Sequence, residues 1–387
     1  MYCEPVQEAW EVFAFGLVPD YAGLASAFRI EERMTKASDS GTCDAGKCDC
    51  NCGVGELLDK AFDAWDDGEP DVALRCCKEA LALQPDNVDA LILAGSIAHT
   101  DGDEDEADRY FEQAISVGGI EAIMAVAEAY FELAMAPEKC LATSNRGLAL
   151  DGGDPPLRVH LLYLKAQSLI ELDDSDQAIA ALREALVMGS KVTTAEPMES
   201  IGETAATIGC WDIAEAAFTS ALTRDPESVE AHYGLGRVFC ELGDKEKMRI
   251  HWVRTLEDDL KEPPPDFHMT TEAFEEVAEN ALLELPEEIR NLLRDAPIII
   301  EDAPSVAEVE DGLDPRVFGV FRGAQMDQAT MDGPPVEPTV IKLYQRNIEA
   351  ACVSVEEVEF EIKTTLLHET AHFFGFDDEK LDEMGLG

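Results

Sequence analysis

Two histidines and a glutamate stand in a fixed pattern near the end of the sequence, His368-Glu369-Thr370-Ala371-His372, followed by Gly375 and Asp378. If the segment is helical, positions four apart share one face, so both imidazoles project toward a common point. That spacing brings two nitrogens to one zinc ion, and the carboxylate of Glu369 stands alongside, where it can hold a metal-bound water. A catalytic zinc normally takes three protein ligands and keeps a fourth position open. Asp377 and Asp378 are the nearest carboxylates beyond the motif, and Gly375 lets the backbone fold back so that Asp378 approaches from outside the helix. The string selects His368, His372 and Asp378 as metal ligands and Gly375 as the supporting turn. The plain alternative is two surface histidines on a helix that happens to end at a glycine.

A second cluster of metal-binding residue types lies in "CDAGKCDCNC", which holds Cys43, Cys48, Cys50 and Cys52. The C-x4-C-x-C-x-C spacing lacks the C-x2-C steps of common structural zinc sites. Three readings stay open: a cysteine-rich loop without metal, a second metal site, or a redox pair. The other cysteines are scattered, several at helix positions where a small apolar residue would serve, as reduced thiols usually are.

The histidines need a helix, and the sequence signals one. Ser354 and Glu357 form a capping box ahead of an apolar rhythm through Val358, Ile362 and Leu366, and Gly375 is placed to stop the helix. Upstream, "APIIIEDAP" (296–304), "VFGVFRG" (317–323) and "TVIKLYQRNI" (339–348) predict three strands. Gly319 and Gly323 allow close backbone approach in the second. Phe274, Val277, Ala278, Ala281, Leu282 and Leu285 predict an amphipathic helix before the strands, and "KEPPPDFHMTT" reads as a linker. The C-terminal region is therefore expected to be a small α+β domain.

On these residues the region from about 270 onward resembles the small bacterial zincin-like metallopeptidases with an HExxHxxGxxD motif. The resemblance rests on "IIIEDAP", "VFGVFRG", "PTVIKLYQRNI" and "EIKTTLLHETAHFFGFDDEKLDEMG". It implies a Zn2+ cofactor held by His368, His372 and Asp378, with Glu369 as general base. The expected reaction is hydrolysis of a peptide bond in a peptide or protein substrate by zinc-activated water. The "VIKLY" strand is a candidate for pairing with an extended substrate, and Tyr344 a candidate oxyanion donor, with a core aromatic as the plain reading.

Between residues 54 and 262 one pattern recurs about six times. Small residues return at Ala61, Gly95, Ala129, Ala166, Gly202 and Gly236, so the step runs from 34 (61 to 95) to 37 (129 to 166). A turn residue follows seven positions later in most copies: Gly68, Gly102, Asp173, Gly209 and Gly243. A second helix then places Ala73, Ala107, Ala178 and Ala214, and later Ala80, Ala114, Ala185 and Ala221, against its neighbours. This stretch resembles tetratricopeptide repeats. A single helix pair cannot bury its apolar face, whereas stacked pairs build a superhelix with a concave surface, and a protein partner on that surface is the general expectation.

The expected organisation is an N-terminal helical cap and Cys-rich loop (1–53), tetratricopeptide-like repeats (54–262), a linker (263–269) and a zincin-like domain (270–387). The cap is anchored by Trp10, Phe13, Phe15, Tyr21 and Phe28. With 81 Asp+Glu against 29 Lys+Arg the net charge is −52, which disfavours nucleic acid and anionic membrane surfaces as partners. No apolar run approaches bilayer-crossing length and the N-terminus lacks a secretory pattern, so a cytoplasmic location is expected. The acidity serves solubility or recognises a basic partner. The competing functional reading is a repeat-based adaptor or binding protein whose terminal domain keeps a structural or vestigial zinc site.

Overall fold

The computed structural model describes residues 52–132, 135–150, 152–264, 268–285, 287, 290, 297–322 and 340–373, with side chains left out at 52, 321–322 and 368–373. The expected N-terminal cap, the first three cysteines of the Cys43–Cys52 cluster, Gly375 and Asp378 lie outside the described residues, and of Cys52 only the backbone is described. Two compact units divide the chain between Val238 and Phe239.

The first unit is an all-α solenoid of helix–turn–helix pairs. Its helices are α1 (Cys52–Asp66), α2 (Pro70–Leu83), α3 (Val88–Thr100), α4 (Glu104–Glu132), α5 (Pro137–Leu148), α6 (Pro155–Glu171), α7 (Ser175–Gly189), α8 (Glu196–Thr207), α9 (Trp211–Leu222) and the first part of α10 (Val229–Glu241). The small-residue pattern is the packing pattern. Ala73, Ala80, Ala107, Ala114, Ala178, Ala185, Ala214 and Ala221 are all fully buried, because a methyl group is the most that fits where helix backbones approach closely. At Gly95 and Gly202 even a methyl would not fit: a Cβ would lie 2.6 Å from the ring of Phe111 and 2.8 Å from that of Phe218.

The turn residues follow the same logic. Gly68, Gly102, Gly209 and Gly243 all have positive φ, and Asp173 takes φ 58° where the other copies have glycine. α4 is two solenoid helices run together, broken at Gly119 (φ 69°, ψ −148°). It is long and apolar enough to cross a membrane by composition, but its apolar residues, Phe111, Ile115, Ile123 and Val126 among them, belong to the solenoid core.

The second unit begins within α10 and includes α11 (Lys245–Asp259), which periodicity alone assigns to the repeats. It continues through α12 (Thr271–Glu284), β1 (Ile298–Glu301), α13 (Val306–Glu310), β2 (Gly319–Arg322), β3 (Val340–Tyr344), α14 (Gln345–Ala350) and α15 (Val355–Phe373). The strands form one sheet in the order β1-β3-β2, with β1 parallel and β2 antiparallel to β3. This is the expected α+β domain with one change: "QRNI" is the start of α14 and not the end of a strand. Its Ile348 enters the core made by Phe274, Ala278, Ile341, Leu343, Val358, Ile362 and Leu366, and a helix turn is what brings Ile348 back over that core.

The region read as a linker is anchored at its far end. Glu349, fully buried, accepts hydrogen bonds from the Met269 N–H at 3.1 Å and the Gln345 side-chain amide at 2.8 Å, and lies 2.6 Å from His268 Nδ1. Arg346 donates to the carbonyls of Asp259 and Glu262, both at 3.2 Å. A cation on the last carbonyls of a helix meets its negative dipole end.

Candidate metal centre

α15 carries His368, Glu369 and His372, and its helical backbone runs without interruption from Val355 to Phe373. The cap forms nearly as the sequence predicts. Ser354 Oγ accepts from the Glu357 N–H at 3.2 Å, and the Glu357 carboxylate reaches back to the N–H of Val353, at 2.8 Å, one residue before the cap. Val358, Ile362 and Leu366 are fully or almost fully buried, so the helix has a settled inner face. At 100° per residue, positions 361, 365, 368 and 372 form a different stripe.

That stripe runs beside β2. Gly319 opens the strand, and a Cβ there would lie 2.8 Å from the Lys342 carbonyl oxygen, 3.0 Å from Thr365 Cγ2 and 3.1 Å from Leu343 Cδ2. Thr365 of the stripe therefore touches the strand, three residues before His368. β2 pairs with β3 on one side only, and among the described residues its other edge carries no partner strand.

Two expectations about the substrate side are corrected. "VIKLY" is β3, the central strand, with β1 and β2 on its two edges, so it has no edge left to accept an extended peptide. Tyr344 is fully buried with Leu313, Val317 and Val320. Its neighbour Leu343 faces the α12–α15 core, and alternation along a strand puts Tyr344 on the opposite side of the sheet from α15. It is a core aromatic and not an oxyanion donor.

The far side of the sheet holds an ion cluster. Lys342 Nζ reaches Glu301 at 2.8 Å and Glu308 at 3.0 Å. Glu308 also completes a capping box with Ser305, accepting from its N–H at 2.8 Å and its hydroxyl at 2.7 Å. Burial pushes the Glu308 carboxyl up, but Ser305 and Lys342 outweigh it and hold the group down at about 2. Three hydrogen bonds hold this buried carboxylate, so the cluster fixes α13 to the sheet.

Among the described side chains no group of three or more His, Cys, Asp or Glu is arranged to hold a metal ion. The side chains of His368, Glu369 and His372 are not among them. The described cysteines are reduced. Burial, with acidic neighbours at Cys352 and Cys76 beside Cys77, pushes the Cys77 and Cys352 thiols up to about 12, which makes them poor nucleophiles.

In the solenoid, first helices of successive pairs are cross-linked by Glu128–His160 at 2.7 Å and Glu203–Arg237 at 2.5 Å. Burial, and the neighbouring Glu128, push the Glu132 carboxyl above its ordinary value against the pull of His160. Burial likewise raises Glu199; its hydrogen bond from Ser228 opposes this, while Glu196, Glu230 and Asp225 add to it. Carboxylates are crowded along these helices.

Comparison with known proteins follows the same division. Residues 293–387 match the family model of zincin-like metallopeptidases, a span that contains the whole string from His368 to Asp378. Residues 58–123 and 201–249 match one tetratricopeptide-repeat model and residues 159–186 another. Together with the two units described above, the chain is an all-α tetratricopeptide-like solenoid followed by a small α+β zincin-like domain. No curated protein matches the chain. Among solved structures, PilW, a widely conserved type IV pilus biogenesis factor, is 16% identical over 55% of this chain and 96% of its own, with a TM-score of 0.39. PilF of Pseudomonas aeruginosa is 11% identical over 52% of this chain and 90% of its own, with a TM-score of 0.38. A tetratricopeptide repeat protein from Parabacteroides merdae is 20% identical over 62% of this chain and 97% of its own, with a TM-score of 0.37.

Proposed function

We propose that this protein is a repeat-based binding protein whose zincin-like domain holds one zinc ion through His368, His372 and Asp378. The observation that carries the zinc half is the unbroken helix of α15, which keeps the two histidines at the four-residue spacing that one ion requires. The binding half rests on the solenoid, whose stacked pairs present an extended surface to a protein partner. The acid excess of the chain, −52, favours a neutral or basic partner over nucleic acid.

A second reading, that the zinc is hydrolytic, is favoured by two specific features. Glu369 follows His368 in the sequence, where the motif places a general base, and β2, whose second edge carries no partner strand among the described residues, meets the same helix stripe at Thr365. An extended peptide added to that edge would lie along the stripe. A zinc ion held there would activate a water and polarise the scissile carbonyl. Glu369 would take the proton from the attacking water and pass it to the leaving amine.

Metal analysis of the purified chain, paired with a peptide-library cleavage assay, separates the readings. One zinc per chain, lost in His368→Ala and His372→Ala, is the expected result, and a chain that takes up no zinc rejects the site. Cleavage that disappears in Glu369→Gln while zinc stays bound supports hydrolysis. Stoichiometric zinc without cleavage of any library peptide leaves the binding reading standing alone.

A further inference from the structure

The contact between Gly319 and Thr365 joins the two parts that a metal site on this helix would have to hold in register. Glycine at 319 is not needed for backbone conformation, since no positive φ occurs there. It is needed for room: a Cβ would meet the Lys342 carbonyl oxygen at 2.8 Å and Thr365 Cγ2 at 3.0 Å. The first is backbone and cannot yield without moving the β2–β3 pairing, in which Gly319 stands opposite Leu343. The second is the methyl of a half-buried side chain whose helix is held in place by the buried Val358, Ile362 and Leu366. A methyl added at 319 therefore strains the β2–β3 pairing and presses by a few tenths of an ångström on α15 at Thr365.

The lever is short. With a rise of about 1.5 Å per residue, His368 follows Thr365 by about 4.5 Å along the axis and His372 by about 10.5 Å, both on the same stripe. A shift or tilt of α15 at Thr365 is carried directly to both histidines, and groups that orient metal ligands tune how tightly a site holds its ion.

We propose that Gly319 and Thr365 are positioning residues: their contact sets the histidine stripe of α15 against β2 and so determines how tightly the zinc site closes. This inference rests on the zinc reading above.

The test uses the full-length chain and reads zinc affinity by competition with a chelating indicator, with circular dichroism as the check on folding. Gly319→Ala is expected to weaken zinc binding by about tenfold, the size of effect seen when groups that orient metal ligands are removed. Adding Thr365→Ser, which deletes the opposing methyl, is expected to restore part of that loss. Thr365→Val, which keeps the methyl and exchanges the hydroxyl for a second methyl of similar size, is expected to bind zinc as the wild type does. If Gly319→Ala does not fold, Thr365→Leu serves instead, crowding the strand from the helix side with the β-ladder intact, and the same loss is expected.

A folded Gly319→Ala or Thr365→Leu chain with wild-type zinc affinity overturns the inference and leaves the zinc site standing. A wild-type chain that binds no zinc overturns the zinc reading, and the inference with it.

Discussion

Arg316 grips Asp259 with two parallel hydrogen bonds, Nε to Oδ2 at 2.9 Å and Nη2 to Oδ1 at 3.0 Å. The pair ties the end of α11 to the segment that leads into β2, and Arg346 adds its bonds to the Asp259 and Glu262 carbonyls. Helix α11 is thus a structural part of the C-terminal unit, although its period is that of a repeat. Asp259→Ala in the full chain is expected to cost about 1–2 kcal/mol, because a charge-assisted, two-point contact is lost and Arg316 is left partly buried. A fragment starting at Phe239 should melt at a higher temperature than one starting at Thr270; equal melting temperatures would show that α11 contributes nothing to the domain.

Glu308 predicts how the C-terminal unit responds to acid. Its carboxyl is held at about 2 in the folded chain, against an ordinary value of 4.5. A depressed carboxylate stabilises the fold fully above its unfolded value and loses that contribution as pH falls toward the folded one. The window is therefore about pH 5 down to 2, and the amount at stake is at most about 3 kcal/mol, less what solvent screening removes. Urea unfolding of the C-terminal unit at a series of pH values should show this slope, and Glu308→Gln should flatten it. An unchanged slope in the variant would assign the acid sensitivity elsewhere.

The buried carboxylate of Glu349 holds the entry to the domain, through His268, Met269 and Gln345. Glu349→Ala leaves the Met269 N–H without its acceptor and takes from the Gln345 amide one of its two, the Met269 carbonyl being the other, and should cost about 3 kcal/mol. Hydrogen exchange at Met269 reads the effect directly. Protection there that survives the substitution would mean that the anchor lies in the apolar packing of Met269 instead.

In the solenoid the ring of Phe218 is held between two glycines. A Cβ at Gly202 would approach it to 2.8 Å and one at Gly234 to 2.3 Å. Gly202→Ala should destabilise the solenoid by about 1–3 kcal/mol through overpacking, and adding Phe218→Leu should return part of the loss. A neutral Gly202→Ala, measured by thermal melting, would show that the helix pair can open without cost.

Much of this architecture is legible in the residues one at a time. The buried alanines, the positive-φ turns at Gly68, Gly102, Gly209 and Gly243 and the exception at Asp173 sit where the repeat places them. The inner face of α15 follows Val358, Ile362 and Leu366. These are local facts, since a helix presents the same stripe and a tight turn asks for the same backbone whatever lies across from it. Gly119 is local too: one helix ends there, and the chain turns on its positive φ and enters the next helix without a loop.

The sequence by itself determined the repeat period, the α+β character of the C-terminal region and the His368-Glu369-x-x-His372 spacing. Only the tertiary structure decided that β3 lies at the centre of the sheet, that Tyr344 turns away from α15, that α11 packs with the second unit, and that Thr365 meets Gly319. The physical reason is that strand order, face and docking depend on which distant segment supplies the missing hydrogen bonds and apolar cover. "VIKLY" reads the same at an edge as in the middle, and the apolar stripe of α11 reads the same whether a repeat or a sheet domain covers it.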